Sequence, residues 1–247
     1  DRIFRSRHGT ISAADGYTIL YGEIIEVDSP GQIVDDVLVS VFRAPNSYTG
    51  EDSAEISGNG AYVNGGDVVI TNAGVYVLSG TLNDGSIIVD AYRSSKVWLY
   101  FNGVSVTASD DAALRVDQAD KVFLTLADGS VNVFTGGESV SDEAEEDGTN
   151  GVIYAHDDLT INGSGTLTIN GSYYHGIKAK DDLTIAGGVI SITVPQDGIH
   201  VNNDFSFANA TLTISAGDDG IHADEDIYRS EERRVGKGCR SRWSPYH

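Results

Sequence analysis

The sequence lacks several common features, and each absence excludes a class of protein. It has one cysteine, Cys239, which excludes an internal disulfide framework. No run of 18 apolar residues occurs, which excludes a hydrophobic transmembrane helix. Proline is scarce, with 4 residues, and methionine is absent even at position 1. We therefore expect a fragment or a processed chain.

Basic residues are few compared with acidic ones. The chain has 16 Lys and Arg against 37 Asp and Glu, a formal net charge of −21. This charge repels nucleic acid and anionic membrane surfaces, so we expect no nucleic-acid partner and no membrane span. An acidic polymer remains a candidate ligand if a divalent cation lies between it and the protein. Charge alone is equally consistent with a role in solubility.

The last residues differ in composition from the rest of the chain. Residues 229–247 hold six Lys and Arg, two Glu and Cys239, and without them the net charge is about −25. The segment resembles the translation of a short-read sequencing adapter, so we predict an artefactual tail. The alternative is a natural basic tail that binds an anionic surface. We expect the natural protein to continue past Tyr228 with further repeats, because the last repeat is cut short there.

A repeat of about 22 residues dominates the second half of the chain. Residues 157–180, 181–202 and 203–224 align at steps of 24 and then 22 residues. Each copy has three short runs in which apolar and polar residues alternate, a pattern typical of β-strands joined by turns. The predicted inward residues are Leu159, Ile161, Leu167, Ile169, Ile177, Ala179, Leu183, Ile185, Ile190, Ile192, Ile199, Val201, Phe205, Phe207, Leu212, Ile214, Ile221 and Ala223.

Three strands per repeat predict an all-β fold, a three-sheet parallel β-helix with about 22–25 residues per coil. A leucine-rich repeat has the same period but needs a Leu and Asn pattern that is absent, and a propeller blade is about twice as long. The pattern continues upstream, with a longer step at the acidic stretch 138–150, which we interpret as an inserted loop. We assign residues 54–228 to the β-helix. Residues 1–53 are less regular, and we predict that they form a lead-in or cap.

Several segments together resemble a known family. They are GVYVLSGTLNDG at 74–85, the DDLTI turns, GSGTLTING at 163–171, and the HGIKAK, DGIHVN and DGIHAD strands. Together they resemble the cellulose- and polygalacturonate-binding β-helix family of bacterial surface proteins, first known from cellulolytic clostridia. The resemblance implies a right-handed helix, bound Ca²⁺ and carbohydrate binding without established catalysis. We expect a monomer that is extracellular or at the bacterial cell surface.

Stacked repeats place equivalent acidic residues in rows. Neighbours in such a row lie about 4.8 Å apart, and carboxylates at that spacing repel unless they share a cation. Ca²⁺ takes six to eight oxygen ligands, so it suits such a row. The alternative is that Asp and Asn serve turn geometry. The candidate calcium ligands are Asp181, Asp182, Asp197, Asn203, Asp204, Asp218, Asp219, Asp224, Glu225 and Asp226.

The outward positions of the third strands, with one neighbouring tyrosine, form the predicted polysaccharide face. Its candidate residues are Arg115, Tyr154, Tyr174, Lys178, Lys180, His200 and His222. The alternative is a solvated strand face. Zinc is disfavoured because the stacked pair His200 and His222 has no convincing third ligand. Trp98, Tyr100 and Phe123 also point outward, either as a platform for cellulose or as a patch covered by the first 50 residues.

We therefore predict non-catalytic, calcium-dependent binding of an acidic or cellulosic plant polysaccharide, either polygalacturonate or cellulose. One alternative is a polysaccharide lyase of the pectate type, in which Ca²⁺ acidifies a uronate α-proton and Arg115, Lys178 or Lys180 removes it. The other alternative is a structural or adhesive surface scaffold.

Overall fold

The structure is a computed structural model. It describes residues 60–64, 66–137, 139 and 148–229, and it also gives the backbone strands at 4–6, 18–25, 33–42 and 53–56. Every regular element in these residues is a strand, and no helix that could cross a membrane occurs among them. The predicted tail lies outside the described residues from position 230 onward.

The strands are short and are numbered in chain order. They are β1 (Phe4–Ser6), β2 (Thr18–Ile25), β3 (Ile33–Phe42), β4 (Ser53–Ile56), β5 (Ala61–Asn64), β6 (Asp67–Ile70), β7 (Gly74–Leu82), β8 (Ile87–Asp90), β9 (Lys96–Ala108), β10 (Leu114–Gln118), β11 (Lys121–Leu126), β12 (Val131–Gly136), β13 (Gly151–Ala155), β14 (Asp158–Gly163), β15 (Thr166–Asn170), β16 (His175–Ala179), β17 (Leu183–Ile185), β18 (Val189–Val194), β19 (Ile199–Val201), β20 (Phe205–Phe207), β21 (Thr211–Ala216), β22 (Ile221–Ala223) and β23 (Ile227–Arg229).

The strands stack in three parallel ladders, one for each strand of the repeat. The first sheet runs β7-β9-β11-β14-β17-β20-β23, and the second runs from the far half of β9 through β12, β15, β18 and β21. The third sheet runs β6-β8-β10-β13-β16-β19-β22, with β5 antiparallel at its end. These ladders make about six turns of a parallel β-helix, which confirms the predicted fold class.

The register between coils is the one that the repeat predicts. Val122 pairs with Val97 in the preceding coil, a step of 25 residues, and with Leu159 in the next, a step of 37, so the longer step predicted at the acidic stretch is confirmed. The predicted inward residues from Leu159 to Val201 are each no more than 1% exposed. Those of the last coil, Phe207 and beyond, are partly exposed because no described coil covers them, although they pack against the same core.

The corner between the first and second sheets depends on backbone conformation and on one buried amide. Gly103 lies inside β9 at φ +80°, a left-handed conformation that a side chain disfavours although nothing would crowd a Cβ there. The fully buried Asn132 accepts the N–H groups of Gly103 and Val104 at 3.1 and 2.9 Å. It also donates to the carbonyl of Thr166 at 3.0 Å. One side chain therefore joins three successive coils.

The first four strands are antiparallel and lie beyond the first coil. Strand β2 pairs with β3, β3 pairs with β4, and β4 meets β7 at Ser53 and Gly80. The assignment of residues 1–53 as a cap stays a prediction.

Candidate functional site

The candidate site follows one outward row of the third sheet. Strand pairing sets five residues of successive coils side by side: Arg115, Tyr154, Lys178, His200 and His222. The predicted stacking of these candidate residues is therefore present. From Tyr154 onward their exposure increases along the row, since Tyr154 is 3% exposed whereas the side chain of His222 is 40% exposed.

The first part of this outward row is buried or ion-paired, unlike a solvated face. The guanidinium of Arg115 lies 2.6 Å from Asp111 and 2.9 Å from Asp117. Burial raises the pKa of the Asp111 carboxyl, although the charge of Arg115 opposes that rise. Alternation along a strand predicts direction only, and direction does not reveal what packs over an outward side chain.

Lys178 is buried at 7% exposure, and its ammonium donates a hydrogen bond to Oδ1 of Asn202. Burial lowers the pKa of Lys178, which the nearby carboxylate of Asp224 partly opposes. Lys180, two residues later, is partly exposed, and its ammonium lies 5.5 Å from the centre of the Tyr154 ring. Lys180 is therefore the lysine of this strand that solvent reaches more readily.

The turn before the third sheet forms a second row, made of His175, Asp197 and Asp219. The N–H of Asp197 donates to Nδ1 of His175 at 3.2 Å, and the N–H of Asp219 donates to Oδ1 of Asp197 at 3.0 Å. Burial lowers the pKa of His175 to about 4. Oδ2 of Asp197 lies 3.3 Å from the same Nδ1. This contact is not an ion pair, because Nδ1 needs its lone pair to accept the N–H.

The row of His175, Asp197 and Asp219 contacts the outward row, because each aspartate faces the histidine that follows it by three residues. Oδ2 of Asp197 lies 2.7 Å from Nδ1 of His200, and Oδ2 of Asp219 lies 3.8 Å from Nδ1 of His222. On its other side, Nε2 of His222 lies 3.0 Å from Oδ1 of Asp224. The rings of His200 and His222 stack with centroids 4.5 Å apart and an interplanar angle of 17°.

Some of the candidate calcium ligands converge here. Ligand oxygens of Asp197, Asp218 and Asp219 all lie within 4.8 Å of one another, and we call these three residues the oxygen cluster. Asp197 is buried, while Asp218 is exposed. The oxygen cluster therefore has one fixed carboxylate and an open side.

Apart from Asp224, which follows β22, the other candidate calcium ligands lie in a row at the start of the first-sheet strands. There Oδ1 of Asp182 accepts the N–H of Asp204, and Oδ1 of Asp204 accepts that of Asp226, at 3.2 and 3.0 Å. Asn203 donates to Oδ1 of Asp181 at 2.6 Å. This row also contains Glu225. Among the described residues, no three potential metal ligands that include a member of this row lie as close together as those of the oxygen cluster. Hydrogen bonds join these residues from one turn to the next, and the calcium role of this row stays a prediction.

Two further candidate regions are aromatic. Tyr174 packs edge-on against Tyr173 at 4.4 Å and lines a shallow pocket with Asp111. Trp98 is 40% exposed and stacks on Phe123, with centroids 5.3 Å apart and planes at 8°. Because these two residues are paired in neighbouring coils, the stacking direction follows the coil axis and the rings turn their edges to solvent. Sugar rings stack on aromatic faces, so this pair is a poor platform for cellulose.

His175 and Asp111 were missed as site residues by the sequence interpretation. The repeat predicts the position of His175, one coil before Asp197 in the row of Asp197 and Asp219, because HGI aligns with the DGI of the next two coils, but it does not predict a role for that histidine. Asp111 has no such signal, since it lies in a coil with irregular spacing.

Comparison with known proteins divides the chain in two. Residues 1–73 match the family described as GTP-binding protein TrmE N-terminus. The tRNA modification GTPase MnmE of Carboxydothermus hydrogenoformans is 51% identical over 53 residues, which is 22% of this chain and 11% of that protein. The MnmE of Geobacillus kaustophilus is 45% identical over 64 residues, 26% and 14% of the two chains. This likeness was not predicted from the sequence.

The β-helix matches other proteins. A carbohydrate-binding domain-containing protein of Acetivibrio thermocellus is 40% identical over 135 residues, 54% of this chain, which spans about half (47%) of that relative. A solved structure described as the polysaccharide lyase-like protein from C. thermocellum, gadolinium derivative, superposes with a TM-score of 0.56 at 28% identity, covering 73% of this chain and 94% of that one. The sequence model for the carbohydrate-binding domain-containing proteins matches residues 64–235, well over half of the chain. The chain therefore belongs to the family of carbohydrate-binding domain-containing proteins.

Proposed function

We propose that this protein binds an acidic plant polysaccharide through Ca²⁺, without catalysis, at the bacterial cell surface or outside the cell. The observation that carries the proposal is the oxygen cluster, where three carboxylates converge within 4.8 Å beside an exposed face. Three carboxylates offer up to six oxygens, and Ca²⁺ takes six to eight, so uronate carboxylates or water complete the shell.

The charge of the protein favours a bridging cation over direct capture. A chain with net charge −21 repels a polyanion. Of the cations in the outward row, Arg115 is held by two aspartates and Lys178 is buried. Lys180 remains, together with the partly exposed His200 and His222, to hydrogen-bond the sugar. A shared Ca²⁺ both relieves the repulsion within the oxygen cluster and supplies the missing positive charge.

The solved relative supports the choice of a hard cation. Its description records a gadolinium derivative, and Gd³⁺, like Ca²⁺, is a hard ion that prefers oxygen ligands. Among the two predicted polymers, polygalacturonate suits the oxygen cluster better than cellulose, which carries no carboxylate and would rely on the edge-on aromatic pair.

The test is retention of the full chain on polygalacturonate with Ca²⁺ and with EDTA. Asp218→Asn combined with Asp219→Asn is expected to lose the calcium-dependent part of the binding. The matched control, Asp90→Asn with Asp110→Asn, removes the same charge from two exposed aspartates outside the cluster and should retain it. Binding that EDTA does not change would refute the calcium bridge. Failure of the folded protein to bind any plant polysaccharide, with self-association retained, would favour the scaffold alternative.

A second candidate function is a polysaccharide lyase, and Lys178 is the observation that favours it. A lysine whose pKa is lowered by burial is the kind of base that removes a uronate α-proton. Against this role, the Lys178 ammonium is buried and hydrogen-bonded to Asn202. A lyase would release unsaturated product that absorbs ultraviolet light, and Lys178→Met would abolish that signal while polymer retention persisted. Absence of the absorbance in the native protein would exclude the lyase.

A further inference from the structure

The repeated Asp-Gly-Ile-His unit places two imidazoles side by side, each hydrogen-bonded to a carboxylate. Oδ2 of Asp197 lies 2.7 Å from Nδ1 of His200. For His222 the carboxylate within hydrogen-bond distance is that of Asp224, 3.0 Å from Nε2, while Asp219 lies 3.8 Å from Nδ1. The carboxylate at Nδ1 of His200 favours the tautomer that carries its proton there, and this leaves Nε2 of His200 with a free lone pair. Nε2 of His222 shares a proton with Asp224, and a bound metal ion would displace that proton. Metal-binding histidines are commonly oriented by such a carboxylate.

We propose that His200, His222 and Asp224 form a site for a divalent transition-metal ion of the Zn²⁺ type. One ligand atom from each of the three side chains lies within 4.8 Å of the others. Asp224 is the third ligand that the two histidines lacked in the sequence interpretation. All three side chains are at least partly exposed, so an ion can enter and water can take a fourth position.

The distances suit a tetrahedral ion after a small adjustment. Zinc bonds to nitrogen and oxygen of about 2.1 Å place neighbouring ligands about 3.4 Å apart. Nε2 of His222 and Oδ1 of Asp224 are already 3.0 Å apart. The histidine rings stack at 4.5 Å, so their Nε2 atoms converge if the rings tilt. Because His222 is 40% exposed, such a tilt meets little packing resistance.

The ligand types separate this site from the calcium proposal. Imidazole nitrogen suits Zn²⁺, Cu²⁺ and Ni²⁺, whereas Ca²⁺ prefers an all-oxygen shell. Asp218 and Asp219 are absent from the imidazole site, and Asp197 takes part only by orienting His200. Because Asp197 takes part in both sites, Asp218 and Asp219 are the residues whose substitution separates the two proposals.

The first experiment is calorimetric titration of the full chain with ZnCl₂ alone, in a Cys239→Ser background that removes the one thiol. We expect a component of one Zn²⁺ per chain that a millimolar Ca²⁺ excess does not displace. Titration with Co²⁺ should give the intense visible bands of a four-coordinate nitrogen and oxygen site. A pale octahedral Co²⁺ spectrum would overturn the proposal without any variant.

Variants then locate the ion. His200→Gln with His222→Gln should weaken this Zn²⁺ component at least about tenfold. The control His156→Gln changes an exposed histidine of an earlier coil and should leave the affinity unchanged. Asp197→Asn should weaken binding about tenfold while the Co²⁺ bands persist, which separates lost orientation from a lost ligand. Equal weakening by Asp218→Asn, or no weakening by the double histidine variant, would overturn the assignment.

Discussion

Asp197 holds His200 at 2.7 Å through one carboxylate oxygen while its other oxygen accepts the N–H of Asp219 at 3.0 Å. The same carboxylate therefore closes the turn between two coils and orients a side chain of the outward row. It is buried, at 6% exposure, so both contacts lie in a region where an unpaired acceptor or donor is costly.

Replacement of Asp197 by Asn should destabilise the protein. The amide retains an acceptor for the N–H of Asp219 but turns an NH₂ group towards His200, and we expect a loss of about 1–3 kcal/mol in the free energy of unfolding. Urea denaturation measures it. The matched change Asp218→Asn, at an exposed position of the next coil, should alter that free energy by less than about 0.5 kcal/mol. Equal effects of the two substitutions would contradict the structural role assigned to Asp197.

Asn132 gives a second stability prediction, because its side chain joins three coils. Asn132→Ala leaves the buried N–H of Val104 and the N–H of Gly103 without their acceptor, and we expect a loss of about 3 kcal/mol. The neighbouring substitution Val131→Thr, at 64% exposure, should change stability by no more than about 0.5 kcal/mol. A melting temperature of Asn132→Ala equal to the native value would refute this role.

The sequence determines the coil architecture because the coils repeat. Apolar positions recur at fixed steps, so Leu159, Leu183 and Phe205 were predicted to stack, and the structure pairs them in that register. The same step of 22 residues relates Asp197 to Asp219, and the two residues are hydrogen-bonded neighbours in the structure. A repeat thus converts a three-dimensional contact into a sequence spacing.

The repeat spacing does not predict which outward-pointing residues are buried, nor which known family a segment outside the repeat resembles. Tyr154 and Lys178 point outward as predicted, yet both are buried, because strand alternation does not report what packs over a sheet. The role of Asp224 depends on the rotamers of two histidines, which no periodicity specifies. Residues 1–53 contain strands, and their likeness to the TrmE N-terminus rests on residue identities outside the repeat.

The edge-on arrangement of Trp98 and Phe123 predicts that they contribute little to cellulose binding. Trp98→Ala should leave retention on cellulose unchanged within error, because the ring faces that would stack on glucose are turned towards neighbouring coils. Pull-down on microcrystalline cellulose measures this. Tyr92→Ala, at 73% exposure, is the control for loss of an exposed aromatic residue outside the pair. If Trp98→Ala lost retention on cellulose and Tyr92→Ala did not, the result would support Trp98 and Phe123 as a cellulose-binding platform.

His175 predicts how stability changes with pH. Burial lowers its pKa to about 4, from an unperturbed value of about 6.5, although the carboxylate of Asp197 opposes that shift. Between these two values the unfolded chain binds a proton at this side chain that the folded chain does not. The free energy of unfolding therefore falls by at most about 3 kcal/mol through this side chain as the pH falls from about 6.5 to 4.

The comparison that isolates this contribution is His175→Asn. Asparagine keeps an acceptor for the N–H of Asp197 and does not titrate, while every carboxylate is common to both proteins. Urea unfolding at a series of pH values should show the native protein losing stability faster than the variant as the solution is acidified below about pH 6.5. Parallel curves for the two proteins would mean that folding leaves the pKa of His175 unchanged, and would contradict its burial as a neutral acceptor. A native protein that gained stability over the variant on acidification would mean that His175 is protonated in the folded state and forms an ion pair with Asp197 across their 3.3 Å contact.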